Sequence, residues 1–486
     1  MQKGSAFPMV KKKSPLPPRD AAKAAPPKPH GAIHCASSED AFATVRKNMQ
    51  RRYPSPEIEG KRLYPLVGPV VSPGFTISMQ DSVFAVGSCF ARNLEGALHR
   101  AGMTVLSPDP DLGQIGESVG KASTFLNKYT VHSILNEMTW ALDRDSFPGE
   151  KIIYPVDEGL YCDPQLGLVR LPFALADIMD MRARYLDAMA QVAVADVIIL
   201  TLGYVEAWYD KELGVYLNIA PPPRICKAYP ERFEFRVLGF DDILGALEAI
   251  YALLKARREK PLKMLLTVSP VPLASTFRDM DVLLANTYSK SVQRAAAEAF
   301  VADKADVDYF PSYETVTLSN PTVCWARNDY RHVSPDIVAR IMSNVLVSYM
   351  PDFKAEGALH GKPMTKDAVF ATARMLVKLN EGPELAALFR QNRHLLRSDG
   401  KLLGQIADVL QTADLPQDES DVLEEMVALA PERPRLLQRL ISTTAGLPER
   451  NERARALLTL HAERFPGRAR FRVRVERSMH PIDEQP

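Results

Sequence analysis

The feature that most narrows the choice of fold is VIILTL at 197–202, an uncharged run that ends at Gly203. A strand open to water on one face alternates apolar and polar residues. A continuous apolar run is what a central parallel strand, buried on both faces, requires. Two further segments repeat the pattern: DSVFAVGS at 81–88, closing in Gly87 and Ser88, and KMLLTVSPVPL at 263–273. Helical segments separate them. CFARNLEGALHRAG at 89–102 sets Phe90, Leu94, Ala97 and Leu98 on one face, with Gly102 as a stop. DDILGALEAIYALLKARREKP begins at Asp241 and Asp242 and ends in a basic turn, in agreement with the helix dipole. MTVLS at 103–107 and VDYFPSY at 307–313 read as strands, 286–303 as a helix, and 334–350 as a helix capped by Ser334 with Pro335 in first position. Strands alternating with helices over 80–350 predict a mostly parallel sheet covered by helices on both faces. Strand order is not readable from this pattern.

The 486 residues exceed one ordinary domain. Residues 1–44 begin with a tract rich in Pro, Ala and Lys, with seven Lys or Arg against one acid in the first thirty residues. Such a segment buries too little apolar surface to offset its ordering entropy, so a disordered basic tail is expected. The catalytic domain is expected over 45–352, a linker over 353–364, and an all-helical module over 365–486. In that module, short helical stretches fall near 365–378, 380–389, 400–412, 419–430, 434–446 and 450–464. They suit either a tetratricopeptide-like array or a plain bundle. Arg468, Arg470, Arg472, Arg474 and Arg477 alternate with apolar residues around FRVRV, the pattern of a solvated edge strand or an anionic contact patch.

A net charge of +1 gives no global argument for nucleic acid. No window approaches the ~18 uncharged apolar residues of a membrane span, and the basic start lacks a signal peptide's apolar run. Cys35, Cys89, Cys162, Cys226 and Cys324 are odd in number and show no CxxC spacing. Neither a disulfide framework nor a metal or cofactor site is indicated, and a cytoplasmic location is expected.

Three features carry chemistry. Gly87-Ser88 ends a strand and enters a helix, where unpaired backbone N–H groups favour negative charge. Ser88 reads either as a simple cap or as a nucleophile whose own N–H helps hold an oxyanion. Asp329-Tyr330-Arg331-His332 precedes the last core helix. An Asp three residues before a His can hold its Nδ1 proton and leave Nε2 to accept the serine proton. LTLGYVEAWYD at 200–210 brings Gly203, Glu206, Trp208, Tyr209 and Asp210 to the same sheet end, either as a site or as a plain βα turn. Cys89 is expected to pack away from the site, and Cys226 to be structural.

GSCFARNLEGAL at 87–98 resembles the signature of the GSCFA family, which is related to the SGNH (GDSL-like) hydrolases. ILTLGYVEAW, LLTVSPVPL, ANTYSKSVQR, DYFPSYE and NDYRHVSPDIV extend the similarity over about 45–350. The resemblance implies a three-layer α/β/α, flavodoxin-like domain and a serine esterase or acyltransferase with Ser88 as nucleophile and His332 and Asp329 completing a triad. Two departures stand out. Val86-Gly87-Ser88 replaces the usual Gly-Asp-Ser, and Val205 falls where an oxyanion-donating Asn is usual. The donors are then expected among the Ser88 N–H, the Gly203 N–H and the Asn127 amide, with Glu206 free for a polar substrate group. SGNH relatives often act on acylated carbohydrates, and Tyr204, Trp208 and Tyr209 would supply stacking surface. A catalytically weak glycan- or protein-binding domain is the alternative, with the helical module docking a partner. A thiol enzyme using Cys89 is the third.

Overall fold

The computed structural model describes residues 32–55, 62–107, 127–167, 173–326 and 329–479. The chain divides into two units, 1–47 and 48–486. In the first, helix α1 (Ser38–Lys47) opens with Glu39 and Asp40, closes with Arg46 and Lys47, and buries none of its residues. Of the expected tail over 1–44, residues 1–31 lie outside the described residues, and the chain is helical from Ser38.

In the second unit, the apolar runs become parallel strands: β1 (Val83–Gly87), β4 (Val197–Leu202), β8 (Met264–Val268) and β9 (Val307–Tyr309), hydrogen-bonded in the order β1-β4-β8-β9. The expected strand at 103–107 is reduced to a parallel bridge between Val105 and Val83 on the free edge of β1. Counting it, the order is the 2-1-3-4-5 of flavodoxin-like sheets. Strand alternation explains why the runs are apolar throughout. Phe84, Val86, Ile198, Leu200, Met264 and Leu266 share one core. That core also takes buried residues from α3 (Val131–Leu142), α4 (Leu175–Ala190), α6 (Phe240–Arg257) and α7 (Val282–Val301). Val83, Ala85, Val197, Ile199 and Leu265 face the other way, into a second core with α2 (Cys89–Arg100) and α10 (Pro335–Tyr349). Both faces are covered, so a charge on either would be buried. As the sequence predicts, the domain is α/β/α with a central parallel sheet.

Two elements lie outside that pattern. Residues after Gly203 do not turn into a helix. They form β5 (Glu206–Asp210), which pairs antiparallel with β6 (Val215–Leu217) and β7 (Phe233–Val237). A second antiparallel pair joins β2 (Tyr154–Asp157) and β3 (Leu160–Cys162). Between β6 and β7 in the chain, α5 (Pro223–Ala228) packs on β2 and carries Cys226 half-buried. Helices α8 (Ser312–Leu318) and α9 (Pro321–Cys324) lead from β9 to the loop before α10.

The C-terminal region is helical, as the sequence predicts: α11 (Lys366–Leu379), α12 (Gly382–Leu396), α13 (Gly400–Thr412), α14 (Pro416–Leu429), α15 (Pro434–Ala445) and α16 (Asn451–Arg464). Each packs on the next around Leu385, Phe389, Leu403, Ile406, Leu423, Leu437 and Ile441. The expected linker holds a hairpin, β10 (Gly357–Leu359) with β11 (Lys362–Met364). His360 (φ 50°) and Gly361 (φ 74°) make its two-residue turn, the left-handed pair such hairpins need. The arginine-rich end is corrected from edge strand to helix α17 (Ala469–Ser478). Val475 is buried and Phe471 packs against the same core, four residues apart on one helical face, while Val473 is exposed. The available apolar surface selected the helical period over the alternating one.

Candidate functional site

At β1 the sheet reverses its order of growth, since the chain goes to Val105 on one side and β4 on the other. The crevice beyond the carboxyl ends of β1 and β4 is therefore the ligand position of such a fold. Gly87 and Gly203 stand at its two walls. Gly87 has φ +137°, and a Cβ there would sit 2.2 Å from the Thr201 carbonyl oxygen. No other residue fits this crossing. The turn delivers Ser88 to the N-cap of α2, where its Oγ accepts weakly from the Phe90 N–H at 3.4 Å. Ser88 is nearly fully buried. Its hydroxyl donates to Ser269 Oγ at 2.9 Å, and its N–H donates to Thr201 Oγ1 at 3.1 Å. Of the expected oxyanion donors, the Ser88 N–H is thus already engaged.

Asn127 lies beside this turn, bridging Gly87 on the outer edge of β1. Its carbonyl accepts from Asn218 Nδ2 at 2.9 Å, and its buried Oδ1 has no partner among the described residues. The following N–H, of Lys128, donates to the Gly87 carbonyl at 2.7 Å. Lys128 is itself fully buried, with Nζ 2.6 Å from the Gln165 carbonyl and 3.5 Å from Glu137. Arg182 bridges Glu137 at 2.7 Å and Asp163 at 2.5 Å. This buried ion network fixes the segment that carries Asn127. Burial nonetheless pushes the Lys128 ammonium down to about 8.

Gly203 is held from both sides. A Cβ would sit 2.5 Å from the Tyr129 carbonyl, and the Gly203 carbonyl accepts from Lys290 Nζ at 2.8 Å and Gln293 Nε2 at 3.1 Å. Lys290 is fully buried, with its ammonium 5.0 Å over the Tyr204 ring, and burial pushes it down to about 7. Cys89 faces the same region. The sequence predicts that Cys89 packs away from the site; it is exposed instead, and Ser88 takes the buried position at the helix start. Loss of solvent on the protein side raises the thiol, against the pull of Lys290 and Arg331.

Asp329 and His332 lie on the loop between α9 and α10. An antiparallel bridge of Trp325 with Val333 closes its base, and Tyr330 takes a left-handed φ of 55°. Asp329 Oδ1 accepts from the Arg331 and His332 N–H groups, each at 2.9 Å, while Oδ2 pairs with His332 Nδ1. These donors hold the Asp329 carboxyl well below the usual carboxylate range. The imidazole is therefore oriented as the sequence predicts. Its ring is more than half exposed, and no hydrogen bond joins it to Ser88 among the described residues.

Next to this centre opens a cleft of 310 Å³ lined by Tyr129, Tyr204, Trp208, Asn218, Phe277 and Arg331, among others. Trp208 packs edge-on to Phe277 at 5.3 Å, and its Nε1 is buried without a partner among the described residues. Glu206 also lines the cleft, but both carboxylate oxygens are taken, by Thr276 Oγ1 at 2.5 Å and the Phe277 N–H at 3.0 Å. These two bonds tie Glu206 to the Phe277 loop. Tyr209 is turned elsewhere, under the Arg236 guanidinium at 3.7 Å. Val205 is core.

The structure thus gathers Gly87, Ser88, Asn127 and Gly203 at one sheet end, with Glu206 and Trp208 in the adjoining cleft. Sequence reasoning missed Thr201, Ser269, Lys290 and Arg331. A signal existed for the first two: hydroxyls at the ends of otherwise apolar strands must find buried partners. Among the described residues, no three His, Cys, Asp or Glu side chains converge as metal ligands, and no helix is long and apolar enough to cross a membrane.

Fold and site together define an α/β/α protein with a serine-bearing turn at the switch point of a parallel sheet. The family model that matches it is that of the GSCFA family, over residues 82–344, and the chain belongs to that family. No curated protein and no solved structure matches the chain.

Proposed function

We propose that the chain is a serine esterase or acyltransferase of SGNH type that removes or transfers an acyl group, an acetyl group in the simplest case, on a carbohydrate-like substrate. What supports this reading is a buried serine, Ser88, at the switch point, together with an Asp329-oriented His332 on the loop whose Arg331 lines the adjoining cleft. His332 Nε2 takes the Ser88 proton as Oγ attacks the ester carbonyl carbon. The tetrahedral oxyanion collapses, and the leaving alkoxide takes that proton from the imidazolium. Water, or an acceptor hydroxyl, then attacks the acyl-enzyme by the same relay. For this, His332 Nε2 must come within hydrogen-bond reach of Ser88 Oγ when substrate binds, a tightening usual for ligand-free sites. The Gly203 N–H and the Asn127 amide are the proposed oxyanion donors. Tyr204, Trp208 and Phe277 offer sugar-stacking surface. A cytoplasmic site of action fits the five free cysteines.

The engagement of Ser88 by Ser269 and Thr201 favours a second reading, a GSCFA domain that binds glycan or protein without turnover, its helical module docking a protein partner. Wild type and Ser88→Ala, assayed on p-nitrophenyl acetate and a panel of acetylated oligosaccharides, separate the two. Turnover lost in the variant supports the esterase. Equal turnover in both removes Ser88 as nucleophile. Saturable glycan binding without turnover in either supports the second reading.

A further inference from the structure

A second cavity, of 230 Å³, lies between α10, the β10–β11 hairpin, α11 and the segment that precedes β1. Helix α10 presents Arg340, Asn344 and Val347 to it from one face, at helical spacing. The hairpin contributes Lys362, whose Nζ would lie 3.9 Å from a Cβ on Gly68 across the cavity. Arg62 enters from the segment before β1.

The charge balance is uneven. Arg340 Nη1 donates to Thr372 Oγ1 at 3.0 Å, a neutral partner. Among the described residues, neither Arg340 nor Lys362 has a carboxylate within ion-pair distance. Glu384, a carboxylate of the wall, is taken by His360 Nε2 at 2.6 Å. Burial pushes the Arg340 guanidinium down to about 10. The Lys362 ammonium is lowered by burial and then by Arg340 and Arg62. Arg340 is half-buried and Lys362 is exposed at the rim, so two like charges without an ion-pair partner among the described residues face one cavity, a grouping that an anion completes.

We propose that this cavity binds a small phosphorylated molecule, with Arg340 and Lys362 on the phosphoryl oxygens. A planar guanidinium fork grips two oxygens at once and an ammonium adds a compact point charge, which suits a phosphoryl group of more than one negative charge. Asn344 supplies a neutral polar contact. The volume falls below the ~300 Å³ at which drug-sized ligands begin, so the rest of the ligand is small. Val347 and Leu376 give it an apolar wall. The site joins the α/β domain to the first C-terminal helices, so its occupancy would stiffen that junction.

The test uses the full chain and sodium pyrophosphate as probe, at constant ionic strength with sodium chloride as reference, read by calorimetric titration and thermal shift. Saturable binding in wild type is expected. It should weaken about ten-fold or more in Lys362→Gln and in Arg340→Gln, and persist unchanged in Ser88→Ala. Absence of saturable binding in wild type overturns the proposal, as does wild-type affinity retained in both cation variants. Lys362 is exposed on a hairpin, so Lys362→Gln decides the matter should Arg340→Gln fail to fold.

Discussion

Ser88 Oγ donates to Ser269 Oγ across 2.9 Å, a bond that spans the end of β4 and ties together the ends of β1 and β8. The candidate nucleophile is thus already satisfied by a neutral hydroxyl. Under the esterase reading, this bond competes with transfer of the proton to His332. Ser269→Ala should therefore raise kcat/KM on p-nitrophenyl acetate by up to about five-fold, the equivalent of one ordinary hydrogen bond of ~1 kcal/mol. A loss as deep as that of Ser88→Ala would instead make Ser269 part of the catalytic machinery.

Gly87→Ala should destabilise the fold by at least ~3 kcal/mol, since a positive φ and a collision with β4 backbone act together. Urea unfolding of wild type and variant measures this directly. A change below ~1 kcal/mol would mean that the strand end can shift to make room.

Arg182 neutralises two buried carboxylates, Glu137 and Asp163. Arg182→Met leaves both without their guanidinium and should cost about 3–5 kcal/mol. Because Lys128 belongs to the network and its N–H holds Gly87, the esterase reading also expects the variant to lose turnover of p-nitrophenyl acetate when assayed well below its Tm.

Lys290 gives a pH signature. Folded, its ammonium deprotonates near 7; unfolded, it stays charged to about 10.4. Between those values the unfolded state binds more protons, so stability rises with pH, by at most ~1.4 kcal/mol per unit. Lys290→Met lacks this rise. The stability of wild type relative to Lys290→Met should therefore improve from pH 7 to 9. Lys128, pushed down to about 8, acts with the same sign but in both proteins, and drops out of the difference. A constant difference across that range would show that Lys290 stays charged in the fold.

Much of the architecture was legible because it follows from local rules. Runs such as VIILTL admit few alternatives to a doubly covered parallel strand. Gly102 and Ser334 mark helix ends through their own conformational preferences. The GSCFA run and the DxxH spacing located Ser88, Asp329 and His332, and the Asp–His contact is local enough to be read from a three-residue separation.

What the sequence alone did not determine depends on distant partners. FRVRV alternates like a strand, yet the apolar surface left by α15 and α16 selected a helix. The bonds that tie Glu206 to Thr276 and Phe277, seventy residues on, could not be read from its local sequence. Cys89 and Ser88 are neighbours in sequence, and only packing against Ser269 and Thr201 decided which is buried. The sequence by itself determined which segments form the sheet and which residue types stand at its carboxyl ends, because periodicity and turn chemistry act over a few residues. The tertiary structure decided strand order, the burial of Lys290 and the convergence of Arg340 with Lys362, because burial and charge pairing are set by whatever the fold brings alongside.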